Sequence, residues 1–204
     1  MKARLRSDRK KTEGTQCSNC RRIAPNYDIV NLGSIESGYR ILCGQCFNAE
    51  SAKLGGLDKF EHLNFEPVRM VDCEGQAHAF HFRTHLFLPG VALSAFELRD
   101  GEPAGYQFQI IGDPEEDLLT LFGHLVEKIR RALSTKHLKH GNLGLQVADQ
   151  VVRGRIQWDE DEDGRVPLLV IDGREITWDN FGRLLMTFEG WQFKLEILDK
   201  SEES

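Results

Sequence analysis

The sequence predicts an α+β protein in which a small cysteine-rich N-terminal module precedes a mostly antiparallel sheet covered by two helices. Three observations carry that prediction. Two Cys-x-x-Cys pairs, Cys17/Cys20 and Cys43/Cys46, account for four of the five cysteines. Beyond residue 62, apolar residues recur at every second position, the period of a half-buried strand. Apolar stripes of helical period interrupt that alternation twice, once after Asp113 and once after Thr177.

The chain has 204 residues, 40% of them hydrophobic, with 12 Phe and 3 Trp. That is enough apolar material for a small module and a medium-sized domain. No stretch approaches the roughly 20 apolar residues that span a bilayer. The N-terminal "MKARLRSDRKKTEGTQ" is basic with no apolar run behind it, so it does not read as a secretory signal. A cytoplasmic location is the expectation. Thiols stay reduced there, which favours a metal over disulfides for paired cysteines. The net charge of −6 is uneven: residues 1–60 hold 11 Lys/Arg against 6 Asp/Glu, and the remainder holds 15 against 26. This asymmetry separates a flexible basic arm, residues 1–14, from an acidic bulk.

The cysteine module is expected over residues 15–56. Each Cys-x-x-Cys puts two thiolates on one tight turn, and 22 residues separate the two pairs. Cys17, Cys20, Cys43 and Cys46 are expected to hold one Zn2+ tetrahedrally, with Zn–S near ~2.3 Å. With every position filled by protein, such a site is structural. It folds a segment too small to bury a core alone. "NYDIVN" and "GYRILC" read as strands around the turn-rich "LGSIESG", and "FNAESAKLG" reads as a short helix stopped by Gly55 and Gly56. Knuckle, hairpin, second knuckle and helix in that order resemble a treble-clef zinc finger. The paired-cysteine spacing is similar to the zinc-binding domain of the Clp unfoldase, which implies a module that dimerises or docks partners. The resemblance covers residues 15–56 only, and no G-x-x-x-x-G-K-[ST] phosphate loop occurs anywhere in the chain. The full chain is also similar to small bacterial zinc-finger proteins, a resemblance that implies no activity.

Residues 62–199 read as one α+β domain, entered through the Gly55-Gly56 hinge. In "HAFHFRTHLFL", His78, Phe80, Phe82, Thr84, Leu86 and Leu88 alternate with Ala79, His81, Arg83, His85 and Phe87. Leu88-Pro89-Gly90 marks a turn, "VALSAFEL" a second strand, and "YQFQII" a third with Tyr106, Phe108 and Ile110 inward. Asp113, Pro114 and Glu116 then supply a cap, a first-turn proline and a capping-box-like acid for a helix. Its stripe is Leu118, Leu121, Phe122, Leu125, Ile129 and Leu133, and Lys128, Arg130 and Arg131 suit the negative end of its dipole. "VVRGRIQW" resumes a strand, with Val152, Ile156 and Trp158 on the apolar face and Arg153, Arg155 and Gln157 opposite. "VPLLVIDG" reads as a buried strand. Thr177 caps the second helix, whose stripe is Phe181, Leu184, Leu185 and Phe188. "WQFKLEIL" closes the domain as a strand, with Trp191, Phe193, Leu195 and Ile197 alternating with Gln192, Lys194 and Glu196. Residues 200–204 are expected to fray.

Candidate chemistry beyond the cysteines is sparse. His81 and His85 share a face with Arg83 between them, and the expectation is the solvated face of a half-buried sheet. His137 and His140, flanked by Lys136 and Lys139, read as an exposed basic helix end. Asp159, Asp161, Asp163 and Gly164 match the start of a calcium loop, but Val170 stands where its bidentate Glu belongs, which leaves a charged hairpin tip. Cys73 lies near His78 and reads as a small core residue rather than a nucleophile. Arg83, Arg153 and Arg155 with Gln107 and Gln109 are candidates for a polar strip. No G-x-S-x-G or H-E-x-x-H occurs, and no catalytic residue is assigned.

The leading expectation is a zinc-binding interaction or adaptor protein that docks a protein partner, or a second copy of itself, through its finger. The alternative is nucleic-acid binding, with Arg4, Arg6, Arg9, Lys10 and Lys11 of the arm and Arg21, Arg22 and Arg40 of the finger meeting phosphates. The four thiolates lower the local positive charge, and the acidic bulk repels a polyanion. A third reading, an enzyme with an unrecognised site, requires a pocket holding at least two ionisable side chains within hydrogen-bond reach. Neither a membrane nor a small-molecule substrate follows from the sequence.

Overall fold

The computed structural model describes residues 14–36, 38–87, 90–141, 144–199 and 201. The basic arm with Arg4, Arg6, Arg9, Lys10 and Lys11, the expected turn at Leu88-Pro89 and most of the C-terminal tail lie outside the described residues. Among those described, three helices and thirteen strands form an α+β architecture. All strand pairings are antiparallel, and a cysteine cluster sits at the N-terminal end. No helix among them is long and apolar enough to cross a membrane.

The N-terminal part is built from small pieces. β1 (Thr15–Gln16) pairs with β2 (Ile23–Ala24), a 3-10 turn spans Asn26–Asp28, and β3 (Ile29–Ser34) pairs with β4 (Gly38–Cys43). α1 (Gly44–Gly55) starts directly after Cys43, so Cys46 lies in its first turn. It stops where the sequence places a stop. Gly56 adopts φ 67°, a left-handed conformation that glycine accepts at no steric cost, and its N–H closes onto the carbonyls of Ala52 and Lys53.

β5 (Val68–Val71), β6 (Ala77–Phe87), β7 (Gly90–Arg99) and β8 (Glu102–Gly112) form a four-stranded meander in chain order. α2 (Leu118–Leu133) lies on one face. Its Leu118, Leu121, Leu125, Ile129 and Leu133 are all buried against Phe80, Leu86, Leu93, Ala95 and Phe108, which matches the stripe read from the sequence. Phe122 stacks on Phe65 with ring centroids 4.3 Å apart. The cap is Asp117 rather than Asp113. Its Oδ2 accepts from the Thr120 N–H and Oγ–H, while Asp113 Oδ1 accepts from the Glu115 N–H in a preceding turn. The apolar stripe begins at Leu118, so residues 114–116 would bury nothing by joining the helix.

The chain beyond α2 forms a separate cluster. β9 (Leu138–Gly141) pairs with β10 (Gly144–Val147). β11 (Arg155–Trp158), β12 (Pro167–Ile171) and β13 (Arg174–Thr177) form a three-stranded sheet that does not join the meander. α3 (Trp178–Leu185), capped as expected by Thr177, packs Leu184 with Leu138, Val147, Ile171 and Ile176. His137 and His140 therefore border and occupy a strand, not a helix end. The face of β11 is the reverse of the expected one. Ile156 is 59% and Trp158 64% exposed, whereas Arg155 and Gln157 are half-buried. The Trp158 ring instead lies against Gly164 in the turn that follows. Residues 191–198, expected as the closing strand, join no sheet among the described residues.

One helix completes the meander. β5 pairs only with Ala77–Phe80 of β6, so the edge of β6 facing away from β7 is open beyond Phe80. Asn48 of α1, fully buried, closes it: Oδ1 accepts from the Leu86 N–H and Nδ2 donates to the Thr84 carbonyl, both at 2.8 Å. Ala52, one turn on, enters the meander's apolar cluster. Asn48→Ala leaves a buried N–H and a buried C=O without partners, at about 1–3 kcal/mol each. The expected result is a loss of about 3 kcal/mol in urea unfolding and faster hydrogen exchange at the Leu86 amide. Unchanged exchange at Leu86 would contradict this account.

Candidate metal centre

Cys17 and Cys20 sit on the turn that links β1 to β2, Cys43 ends β4, and Cys46 lies in the first turn of α1. The first turn is closed by Cys17 N–H to Arg22 O and Arg21 N–H to Cys17 O, and Ser18 N–H reaches Ile41 O, which ties it to β4. The turn holds Arg21 at φ 64°, an unusual conformation for a residue with a Cβ. On the helix side, Asp28 Oδ2 accepts from the Gly44 N–H at 3.2 Å. A Cβ at Gly44 would fall 2.3 Å from Asp28 Oδ1, so this approach needs glycine.

The four Sγ atoms lie within 4.8 Å of one another. Cys20 Sγ and Cys43 Sγ are 3.8 Å apart. A tetrahedron with metal–sulfur bonds of ~2.3 Å has edges of about 3.8 Å, so the donor set fits Zn2+ in both chemistry and spacing. The thiols are not alike. Burial opposes ionisation of Cys17, but bonds from the backbone of Cys43, Cys20 and Asn19 outweigh it and bring the group down to about 6. Cys20 is lowered by its contacts with the Arg22 backbone and side chain. Burial pushes Cys43 up, and burial with the neighbouring sulfurs pushes Cys46 up to about 12. Near neutral pH the cluster alone therefore resists full ionisation, and a dication supplies the charge that gathers four thiolates. Bound there, zinc supplies cross-links in place of a core. The apolar cluster around the site holds only Ala24 and Leu42 besides the buried cysteines, with Ile29, Leu32 and Phe47 at its edge.

Two of the three arginines named for the finger, Arg40 and Arg22, are engaged locally. Arg40 makes a two-pronged bond to the Glu50 carboxylate, at 3.0 and 2.6 Å. Arg22 donates to Gln45 Oε1 and faces the Cys20 sulfur. The His81/Arg83/His85 face is not solvated, because the finger covers it. The Tyr27 ring meets His81 and Phe96, Arg83 donates to the Tyr27 carbonyl at 2.9 Å, and Phe47 packs on His85. Burial, with Arg83 and His62 nearby, pushes His85 down to about 4, so it sits there uncharged. Arg83 belongs to the meander and Arg155 to the three-stranded sheet, so the two arginines do not share a strip.

Sequence reasoning missed a buried polar network. His78 shares the core face of β6 with Phe80, and both ring nitrogens are bound: Nε2 to Asp72 Oδ2 at 3.1 Å and Nδ1 to Glu97 Oε1 at 2.9 Å. Lys136 reaches Asp72 at 2.7 Å and donates to Tyr106 Oη at 3.2 Å. Lys136, then burial, His78 and two backbone amides, act on Asp72, and the net effect holds its carboxyl well below the usual carboxylate range. A cleft of about 330 Å3 opens beside the network, lined by Gln76, His78, Glu97, Arg99, Asp172 and Arg174. Both ring nitrogens of His78 are engaged inside the cluster, and His78 with Glu97 gives the cleft the two ionisable side chains in hydrogen-bond reach that the enzyme reading requires. Only the parity of His78 with Phe80 hinted at the network, since a histidine on a core face must find partners. Cys73, expected as a small core residue, is exposed, because it sits in the turn after β5, and the nearby His78 is bonded to Asp72 and Glu97 instead. Asp159 accepts from the Asp161 N–H, which makes the acidic tip a self-capped turn.

Three protein families match successive parts of the chain, each described as a domain of unknown function: DUF7685 over residues 16–58, DUF7686 over residues 61–134 and DUF7713 over residues 137–202. No curated protein and no solved structure matches it.

Metal analysis of the purified chain is expected to return about one equivalent of zinc. Cys43→Ser removes it. Because α1 carries Asn48, that variant also lowers the unfolding midpoint of the meander. Thiolates must be deprotonated to bind, so zinc is released as pH falls. The lowered Asp72 group contributes stability above its unfolded pKa near ~3.9 that is lost as pH drops below it. Asp72→Asn is expected to cost about 3–5 kcal/mol at neutral pH and to flatten the acid limb of the stability profile. An unaltered acid limb would remove Asp72 from that role.

Proposed function

We propose that this chain is a zinc-stabilised interaction protein whose finger, a treble clef by its order of knuckle, hairpin, knuckle and helix, docks a protein partner. The observation that carries the reading is the company the metal site keeps. A closed set of four thiolates offers no vacancy for substrate, so the metal shapes a surface and performs no turnover. That surface is apolar on the outside. Ile35 at the hairpin tip is 91% exposed, Leu54 83% and Tyr39 60%, and Tyr39 shares its β4 face with Ile41. Exposed aliphatic and aromatic side chains on a small rigid scaffold are the usual means of protein docking.

Nucleic-acid binding is less well supported. Arg40 is committed to Glu50 and Arg22 to the thiolate environment, which leaves few finger cations for phosphates. The reading goes with a reducing compartment such as the cytoplasm, where all five thiols stay free for metal or unoxidised.

The test is affinity capture from native extract with the tagged full chain, compared with a Tyr39→Asp/Ile35→Asp variant and with Cys43→Ser. The expected result is a protein retained in moderate salt and lost with both variants. Retention of nuclease-sensitive material that salt strips off, or capture indifferent to both variants, would overturn the proposal.

A further inference from the structure

We propose that residues 192–198 form an antiparallel strand pair with the same segment of a second copy, centred on Leu195. This uses the opposite end of the chain from the finger and does not depend on the metal. The segment has the alternation of a half-buried strand, yet residues 192–198 belong to no sheet among the described residues. Phe193 is 91%, Leu195 75% and Ile197 70% exposed, and no sheet includes them. A free apolar strand edge is a template for another strand.

Charge complementarity selects both the partner and the register. Lys194 and Glu196 lie on one face, two residues apart, with Nζ 3.4 Å from Oε2 and side chains 83% and 63% exposed, so the pair within one chain is open to exchange for a pair across two. In an antiparallel pairing with a two-fold axis at Leu195, Lys194 of each copy stands opposite Glu196 of the other, so opposite charges meet twice. Phe193 then stands opposite Ile197, and the apolar faces coincide. Moving the axis to residue 194 sets Lys against Lys, and moving it to residue 196 sets Glu against Glu. Odd registers put apolar residues opposite charged ones. A two-stranded ribbon is marginal alone. Each copy also exposes Ile156, Trp158, Leu185 and Met186, apolar area that the ribbon's face can cover.

The test is the mass of the full-length chain in solution, by sedimentation or light scattering at micromolar concentration. The wild type is expected to be a dimer that survives zinc chelation. Leu195→Asp is expected to give a monomer with unchanged zinc content; because Leu195 is exposed, its replacement does not threaten the fold. Lys194→Glu alone sets like charges opposite each other and weakens the dimer, and Lys194→Glu with Glu196→Lys restores it. In a Cys73→Ser background, Leu195→Cys is expected to form a disulfide-linked dimer under mild oxidation. A monomeric wild type overturns the proposal. So does a dimer that ignores Leu195→Asp. A dimer lost on chelation but kept by Leu195→Asp overturns it too, and assigns self-association to the finger.

Discussion

The side-chain amide of Asn48 joins the part of the chain that carries the cysteine cluster to its largest sheet, and much of the architecture depends on that one group. Its oxygen and nitrogen stand in for the backbone of a missing strand along β6, after β5 has stopped pairing. The amide can do this only if α1 is held at one rotation and one height. A helix of 12 residues has little stability of its own, so the hold must come from outside. Cys43 and Cys46 provide it at the N-terminal end, two residues before Asn48. Ala52 in the core cluster and the Gly56 cap provide it at the other end. The metal site is therefore coupled to the sheet through one turn of helix. A zinc ion held by the four thiolates would set the position of a buried hydrogen bond in the sheet as well as the shape of the N-terminal module.

The other junctions are also polar. Asp72 gathers His78 from β6 and Lys136 from the segment after α2, and Lys136 touches Tyr106 on β8. Asp172, in the turn between β12 and β13, accepts from the N–H groups of His137 and Leu138. Arg83 of the sheet donates to Tyr27 of the finger. Each body has its own apolar cluster, and side chains that need specific geometry hold the bodies in register. Buried polar contacts of this kind add little net stability and penalise any other arrangement heavily. They fix orientation where apolar area alone would allow sliding.

The sequence revealed what is local and hid what is not. The Cys-x-x-Cys pairs, the Leu118–Leu133 stripe and the Thr177 cap depend on residues within a few positions of one another, and the structure places them as read. Helix α2 was given the wrong cap because Asp113 and Asp117 both offer a short acceptor; the start of the apolar stripe decides between them. The face of β11 was inverted because alternation reveals two faces without saying which one is covered, and Trp158 spends its ring on Gly164. Asn48 and the Asp72–Lys136 pair left no sequence signal, because their partners lie tens of residues away. His81 and His85 looked solvated for the same reason, since Tyr27 and Phe47 cover them from another part of the chain.

The distribution of exposed apolar surface gives these joints a functional meaning. The interior boundaries are closed by hydrogen bonds, whereas large apolar side chains stand exposed at the hairpin, at Ile156, Trp158 and Met186, and along residues 191–198. Surface of that kind is costly to leave in water. The hairpin and the C-terminal segment differ in what sustains them. On the proposed reading, zinc would hold β4 and α1 together, so partner docking at the hairpin would follow the metal. The C-terminal segment owes nothing to the thiolates, because its alternation and its Lys194/Glu196 pair are local. On the two proposals together, self-association would persist while the hold on a partner varies with zinc.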